Sequence, residues 1–296
     1  MPVTTETLSP EQTALLDGYR WGSGYLFAEP PHSSLGTMGE MLSRNIGSSL
    51  EFMEHREYLP GDDLRRIDWN AYARSDRLVV KMFREEVHPH VDLLLDGSRS
   101  MKLNGTSKAT ASLSLAALFA SAAAESHFSF TCYTTGNGCK KLERSNSIPT
   151  EWEHPTFDSN FNPSESLTQM PPDWKSRGIR IFISDLLFPE EPSTVIARIA
   201  ANSAITVIVQ LLATADIEPP WQGNVRLVDT ETNERLEIYL DTTLRERYKK
   251  NLLNHQTQWH ESARRHNAKL ITVNAEEFLK TKRVDELVSS EILRFK

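Results

Sequence analysis

The sequence predicts an α/β protein: a mainly parallel sheet with helices on both faces, preceded by an N-terminal extension that carries β strands. Three observations predict it. From residue 91 onward, apolar runs ("VDLLLD", "FSFTCYT", "IRIFISD", "AITVIVQLL", "AKLITVN") alternate with helix-length segments, the grammar of strand–crossover–strand units. Each run reads as a buried strand. Between the first two lies "KATASLSLAALFASAAAES", an alanine-rich helix whose small residues suit close packing against a sheet.

Taken in order, "LSPEQTALLDGY" opens with Ser9 ahead of a proline, a helix-start signal, so a short helix is expected there. "GSGYLFAEPPHSSLGTMGE" is rich in turn formers, and "LEFMEHREYL" and "RLVVKMFREEV" carry strand-forming residues. Residues 1–90 are therefore expected as an N-terminal region packed on a main domain of residues 91–296. Beyond the first strands, helices are expected near 191–203, 243–266 and 276–290. Thr243 and Glu246 have capping-box spacing, and Leu244, Tyr248, Leu252 and Trp259 recur at helical intervals as a core stripe. "NVRLVDTETNERLEIYL", residues 224–240, reads as a β-hairpin on an edge of the sheet.

A formal net charge of −7 over 296 residues argues against a nucleic-acid surface, which needs a concentrated basic face. Proteins, small molecules or cations are the expected partners. No run of about 18 apolar residues is present, so no membrane span is expected. "MPVTTETLSPEQ" lacks the layout of a signal peptide, and a cytoplasmic location is the expectation. Cys132 and Cys139 flank a "TTGNG" turn; in a reducing compartment they are expected as free thiols.

The strongest chemical signal is "LLLDGSRSM". Asp96 ends an apolar strand, and Ser98 and Ser100 follow at alternate positions. Ligands bind at the carboxyl ends of strands in open α/β sheets, and hard oxygen ligands converging there suit Mg²⁺ or Mn²⁺. Asp185 ends a second buried strand in "IRIFISD", so the two carboxylates are expected at the same end of the sheet. Asp and Ser are also common turn formers and helix caps, the plainer reading of the same string.

The D-x-S-x-S string with a later strand-end aspartate resembles the metal-ion-dependent adhesion site of von Willebrand factor type A domains. The long ordered stretch "EYLPGDDLRRIDWNAYARSDRLVVKMF", residues 57–83, resembles the signature of the domain of unknown function 58 family. The resemblance implies a type A-like sheet with a divalent cation at its top, Ser98 and Ser100 coordinating directly and Asp96 and Asp185 acting through water or as anchors. It implies recognition rather than bond breaking, with a partner's Glu or Asp at the open position and no catalytic residue. It further implies chaperone-like maturation or assembly beside a MoxR-type AAA+ ATPase. The threonine that such sites place between the two acids is missing from "PTFDSNFNPSESLTQM"; Thr156, Asp158 and Ser159 are the nearest substitutes.

Within the signature, Asp62, Asp63, Arg65, Arg66 and Asp68 read as mutually satisfied charges of a structural latch, with Tyr58 and Trp69 as apolar anchors; a partner-binding surface is the competing reading. Other signals point nowhere. "NGTSKAT" lacks the Gly-Lys-Ser/Thr order of a phosphate loop, leaving Lys108 on the first turn of a helix. Arg264 stands where a zincin helix after His260 and Glu261 needs its second histidine. No serine sits in a nucleophile elbow. His88 and His90 read as strand-end residues, and Trp152, Trp174 and Trp221 as loop-buried or partner-anchoring. The expectation is thus a non-enzymatic, metal-dependent scaffold or adaptor. A metal-assisted hydrolase using Asp96 and Asp185, and a metal-free interaction module, are the alternatives.

Overall fold

The computed structural model describes residues 8–28, 50–85, 89–153 and 155–296. The turn-rich residues 29–49 and His88 lie outside them. The chain forms two compact units, Met1–Pro31 with Pro89–Lys296, and His32–His88. In chain order the elements are α1 (Pro10–Gly22), β1 (Tyr25–Phe27), β2 (Leu50–Glu57), α2 (Trp69–Ser75), β3 (Val79–Glu85), β4 (His90–Leu95), α3 (Lys108–Glu125), β5 (Ser129–Thr134) and β6 (Lys140–Lys141). They continue with α4 (Pro163–Gln169), β7 (Ile179–Ser184), α5 (Pro192–Ala200), β8 (Ile205–Leu212), α6 (Thr214–Ile217), β9 (Gly223–Val228), β10 (Arg235–Leu240) and α7 (Thr242–Arg265). Last come β11 (Ala268–Asn274), α8 (Ala275–Thr281), α9 (Asp285–Ser289) and β12 (Leu293–Phe295).

The larger unit holds a six-stranded sheet in the order β11-β8-β7-β4-β5-β6. Its pairs are parallel except for the short β6, which runs antiparallel to β5. Successive side chains of a strand point to opposite faces, and two cores result. Leu93 and Leu95 join Ile181, Val209 and residues of α1, α3 and α8 on one face. Leu94 joins Phe182, Ile208 and residues of α5 and α7 on the other. The mainly parallel sheet with helices on both faces is as expected.

Helix α1 begins where the sequence placed it, with Ser9 and Gln12 closing a capping box. Its stripe Ala14, Gly18, Gly22 is buried because α3 lies against it. A Cβ on Gly18 would come 2.0 Å from the Ser114 carbonyl oxygen, and Ser114 Oγ donates to the Ala14 carbonyl at 3.0 Å. Helix α3, covered by α1 on one side and the sheet on the other, is buried along its middle, as a helix apolar all round must be.

Five expectations are corrected here. The boundary at residue 90 fails because α1 packs on α3 and β1 pairs antiparallel with β12, which draws residues 1–31 into the larger unit. The helix expected over 276–290 is two, since Lys282 adopts the left-handed conformation (φ 59°) and ends α8. The cap of α7 is Asp241, whose side chain accepts from Leu244 N–H at 2.7 Å, not Thr243. Only Trp259 of its expected stripe is fully buried; Tyr248 is 36% exposed, because the first turns of α7 carry few core contacts. The hairpin is present, but among the described residues β9 and β10 pair only with each other, so it is no edge of the six-stranded sheet. Cys132 and Cys139 are both free and buried; burial pushes the Cys139 thiol up to about 12 and Cys132 higher still.

In the smaller unit β2 and β3 form an antiparallel pair, and the family-like stretch folds between them. Asp62 accepts from Leu59 N–H at 2.8 Å and pairs with Arg56 at 2.7 Å. Asp63 accepts from Arg65 N–H and pairs with its side chain at 3.2 Å, at the start of a short 3-10 turn. Asp68 caps α2 through Asn70 and Ala71 N–H at 3.0 Å and meets His55 at 2.8 Å. These bonds close within the unit, where Tyr58 is partly buried. Trp69, expected as an apolar anchor, is 60% exposed, with its ring edge-on to Tyr72; the first position of a short solvent-facing helix gives it nothing to fill.

The Ala71 N–H above all, then His55 and Lys81, holds the Asp68 carboxyl at about 2. A depressed carboxylate stabilises the fold above its ordinary pKa and ceases to do so as pH falls through its folded one. Amide protection of α2 is therefore expected to drop between pH 3.8 and about 2. Asp68→Asn, which caps as well but does not titrate, flattens that dependence in hydrogen-exchange measurements.

Candidate functional site

Strand β4 is followed in sequence by β5 on one side of it and later by β7 on the other. The chain therefore diverges between the carboxyl ends of β4 and β7, a switch point where open α/β sheets bind ligands. Asp96 and Asp185 are the first residues past those two ends. Leu95 and Ile183 are registered partners, and Asp96 N–H donates to the Ile183 carbonyl at 3.0 Å, so the two acids are brought together as expected.

Asp96 is 1% exposed, and both its oxygens are committed. Oδ1 accepts from Ser98 N–H at 2.9 Å and from Thr135 Oγ1 at 3.5 Å; Oδ2 accepts from Ser184 Oγ at 2.6 Å. Burial and then the Asp185 carboxylate push its pKa up to about 6, against the hydrogen bonds that favour its charged form. Gly97 allows the turn to form: a Cβ there would lie 2.3 Å from the Thr135 carbonyl oxygen. Ser98 and Ser100 then stand with hydroxyl oxygens 3.0 Å apart, Ser98 at the N-cap of a 3-10 turn over Arg99–Lys102 and Ser100 within it.

Asp185 is equally buried. Its Oδ1 accepts from Leu187 N–H at 3.0 Å and its Oδ2 receives Lys108 Nζ at 2.8 Å. Lys108, 1% exposed on the first turn of α3, also reaches Asp216 of α6 at 3.1 Å. Burial alone would lower its pKa; Asp185 and Asp216 outweigh it and hold the ammonium above its ordinary range.

A further carboxylate arrives from the hairpin. Glu231 Oε1 accepts from Ser100 N–H at 3.0 Å, while its Oε2 is buried without a partner. Burial, with Asp185 adding to it, raises its pKa. Of the three substitutes for the missing threonine, only Ser159 adjoins the site: its N–H donates to the Gly97 carbonyl at 3.2 Å and its carbonyl accepts from Arg99 N–H at 3.3 Å. Its hydroxyl turns to Phe161. Thr156 and Asp158 bond each other at 2.6 Å in an exposed turn.

Lys108, Asp216 and Glu231 were not read as site residues from the sequence. Lys108 was placed on its helix, but a lysine is a surface residue by default, and nothing local signals the acids it meets. Glu231 lies 131 positions from its partner, beyond any spacing rule. Elsewhere, His90 is a buried strand residue bonded to Asp92 at 3.1 Å, Trp152 is buried, and Trp221 is 48% exposed.

Among the described residues, no three or more His, Cys, Asp or Glu side chains are grouped to hold a metal. The remaining donors, the hydroxyls of Ser98 and Ser100 and the unpartnered Glu231 oxygen, are hard oxygens that fit Mg²⁺ or Mn²⁺, ions that keep several waters. Asp185 and Asp216 share the buried Lys108 ammonium, while Asp96 and Glu231 lie close enough to Asp185 for its charge to raise their pKa.

A family model described as "Protein of unknown function DUF58" matches residues 54–141 and 154–258, more than half of the chain. Uncharacterized protein Rv1480 of Mycobacterium tuberculosis is 25% identical over 227 residues, 70% of this chain and 69% of that one. Among solved structures, the conserved hypothetical protein BatB from Bacteroides thetaiotaomicron is similar at a TM-score of 0.40 and 10% identity, covering 69% of this chain and 98% of that one. An aerotolerance-related membrane protein from Bacteroides fragilis is similar at 0.36 and 11%, covering 68% and 99%. The cytoplasmic location expected from the sequence is corrected on this finding, for the second of these is described as a membrane protein. Among the described residues, no helix is long and apolar enough to cross a membrane.

Proposed function

Since this chain belongs to the DUF58 family, we propose that it is a non-enzymatic interaction protein of the von Willebrand type A-like kind, which grips an acidic side chain of a partner through Mg²⁺ or Mn²⁺. The observation that carries the reading is the pair of serine hydroxyls 3.0 Å apart just past the carboxyl end of β4, whose parallel neighbour β7 ends beside it. Asp96 and Asp185 would anchor the site rather than ligate, because their oxygens already receive protein donors. Ser98, Ser100 and Glu231 would hold the ion, which supplies a positive charge for a carboxylate to meet. A MoxR-type AAA+ ATPase, or a client protein in chaperone-like assembly, is the partner that the family resemblance brings to this reading.

Titration calorimetry with Mn²⁺ tests it. Asp96→Asn and Ser100→Ala are each expected to weaken Mn²⁺ binding about 10- to 100-fold, the usual effect of disturbing a metal's ligands or their anchors. Binding that is unchanged in both variants removes the metal from the mechanism. One observation favours a second reading, a metal-free interaction module: Lys108 already supplies a cation to Asp185. The same titration decides between them, since that module binds no Mn²⁺. A hydrolase is disfavoured because neither Asp185 oxygen is left to activate water.

A further inference from the structure

Glu231 stands between Asp229 and Glu234 at the tip of the β9–β10 hairpin. Asp229 Oδ1 accepts from the N–H groups of Glu231 and Thr232 at 2.8 and 2.9 Å, which fixes the tip and presents the Glu231 side chain. Among the described residues the two strands pair only with each other, and a lone two-stranded hairpin is marginal in water. Leu236 and Tyr239 are 58% and 66% exposed, so apolar burial of those side chains is not what holds it. Yet the tip reaches Ser100, and Glu231 Oε1 takes that residue's N–H at 3.0 Å.

The second oxygen of the same carboxylate, Oε2, is buried with no partner. A buried acceptor without a donor is costly, and more so when charged. Such an atom, on the carboxylate that takes Ser100 N–H and lies close enough to Asp185 for their charges to interact, is accounted for by a cation at this site. We propose that Glu231 is this site's own acidic ligand: its carboxylate, held in place by Ser100 N–H, completes the oxygen shell of Ser98 and Ser100 around the divalent cation and fills the position a partner's acid would take. This rests on the cation reading above. A partner's carboxylate then enters by displacing Glu231, and the hairpin tip is the element that moves.

Mn²⁺ alone serves as the probe, on the full chain. Glu231→Ala is expected to weaken Mn²⁺ binding about tenfold by calorimetry and to raise the water-proton relaxivity per bound Mn²⁺, because a water takes the place of the carboxylate oxygen. Addition of Mn²⁺ is expected to protect the amides of residues 229–234 from exchange in the wild type and not in Glu231→Ala. Glu231→Gln, which keeps an oxygen but loses the charge, falls between the two. Equal affinity and relaxivity in wild type and Glu231→Ala overturn the ligand role while leaving the cation site standing. Weaker binding with unchanged relaxivity and unchanged exchange overturns direct ligation. A wild-type chain that binds no Mn²⁺ overturns the cation reading and this role with it.

Discussion

Lys108→Met is expected to lower stability to urea by about 3–5 kcal/mol, the cost of removing one partner from a buried ion pair. The ammonium it deletes lies 2.8 Å from Asp185 and 3.1 Å from Asp216 and is 1% exposed. Asp185 is left as a buried charge whose remaining donor is Leu187 N–H. Asp216 is less affected, since its side chain is partly open to water. If the loss arises from the orphaned charge, Lys108→Met with Asp185→Asn recovers most of it, and the double-mutant cycle shows strong coupling. Additive losses would place the effect in the packing of the lysine stem instead.

The second large effect is expected at Gly18. Alanine puts a Cβ 2.0 Å from the Ser114 carbonyl oxygen and 2.6 Å from its Cα, atoms of a helix backbone that cannot turn aside. Helix α1 must then withdraw from α3, at a cost of about 3 kcal/mol, the upper range for overpacking. Gly24→Ala is the control. Its Cβ meets only the Trp21 carbonyl at 3.8 Å, and a change within about 0.5 kcal/mol is expected. Thermal or urea unfolding of both variants measures the contrast; equal losses would show that the α1–α3 crossing tolerates a methyl group.

What the sequence made legible follows the range of each signal. The core strands were readable because two covered faces write continuous apolar runs, and "VDLLLD" and "IRIFISD" became β4 and β7 with their acids at neighbouring ends. The Asp96, Ser98, Ser100 grouping was readable because it is local. The three-residue strands β1 and β12 were missed, being too short for a periodicity to show. Lys108, Asp216 and Glu231 were missed for another reason: they meet the site from two separate crossovers, Lys108 from that between β4 and β5 and the two acids from that between β8 and β11, and only the fold sums those contributions. The stripe on α7 misled because helical spacing states that a face is apolar, not how far along it the core extends.

The pairing of β1 with β12 has a consequence for the order in which the chain takes shape. Tyr25 registers with Phe295 and Phe27 with Leu293, so the closing contact joins residues about as distant as this sequence allows. During synthesis, strands β4 to β8 and the helices over them emerge early, whereas the seat of β1 does not exist until residues 293–295 have been released. Contacts of such long separation form late. The apolar side chains of Tyr25 and Phe27, buried in the finished protein, remain without their strand partner until residues 293–295 have emerged, so this edge is the last of the larger unit to close.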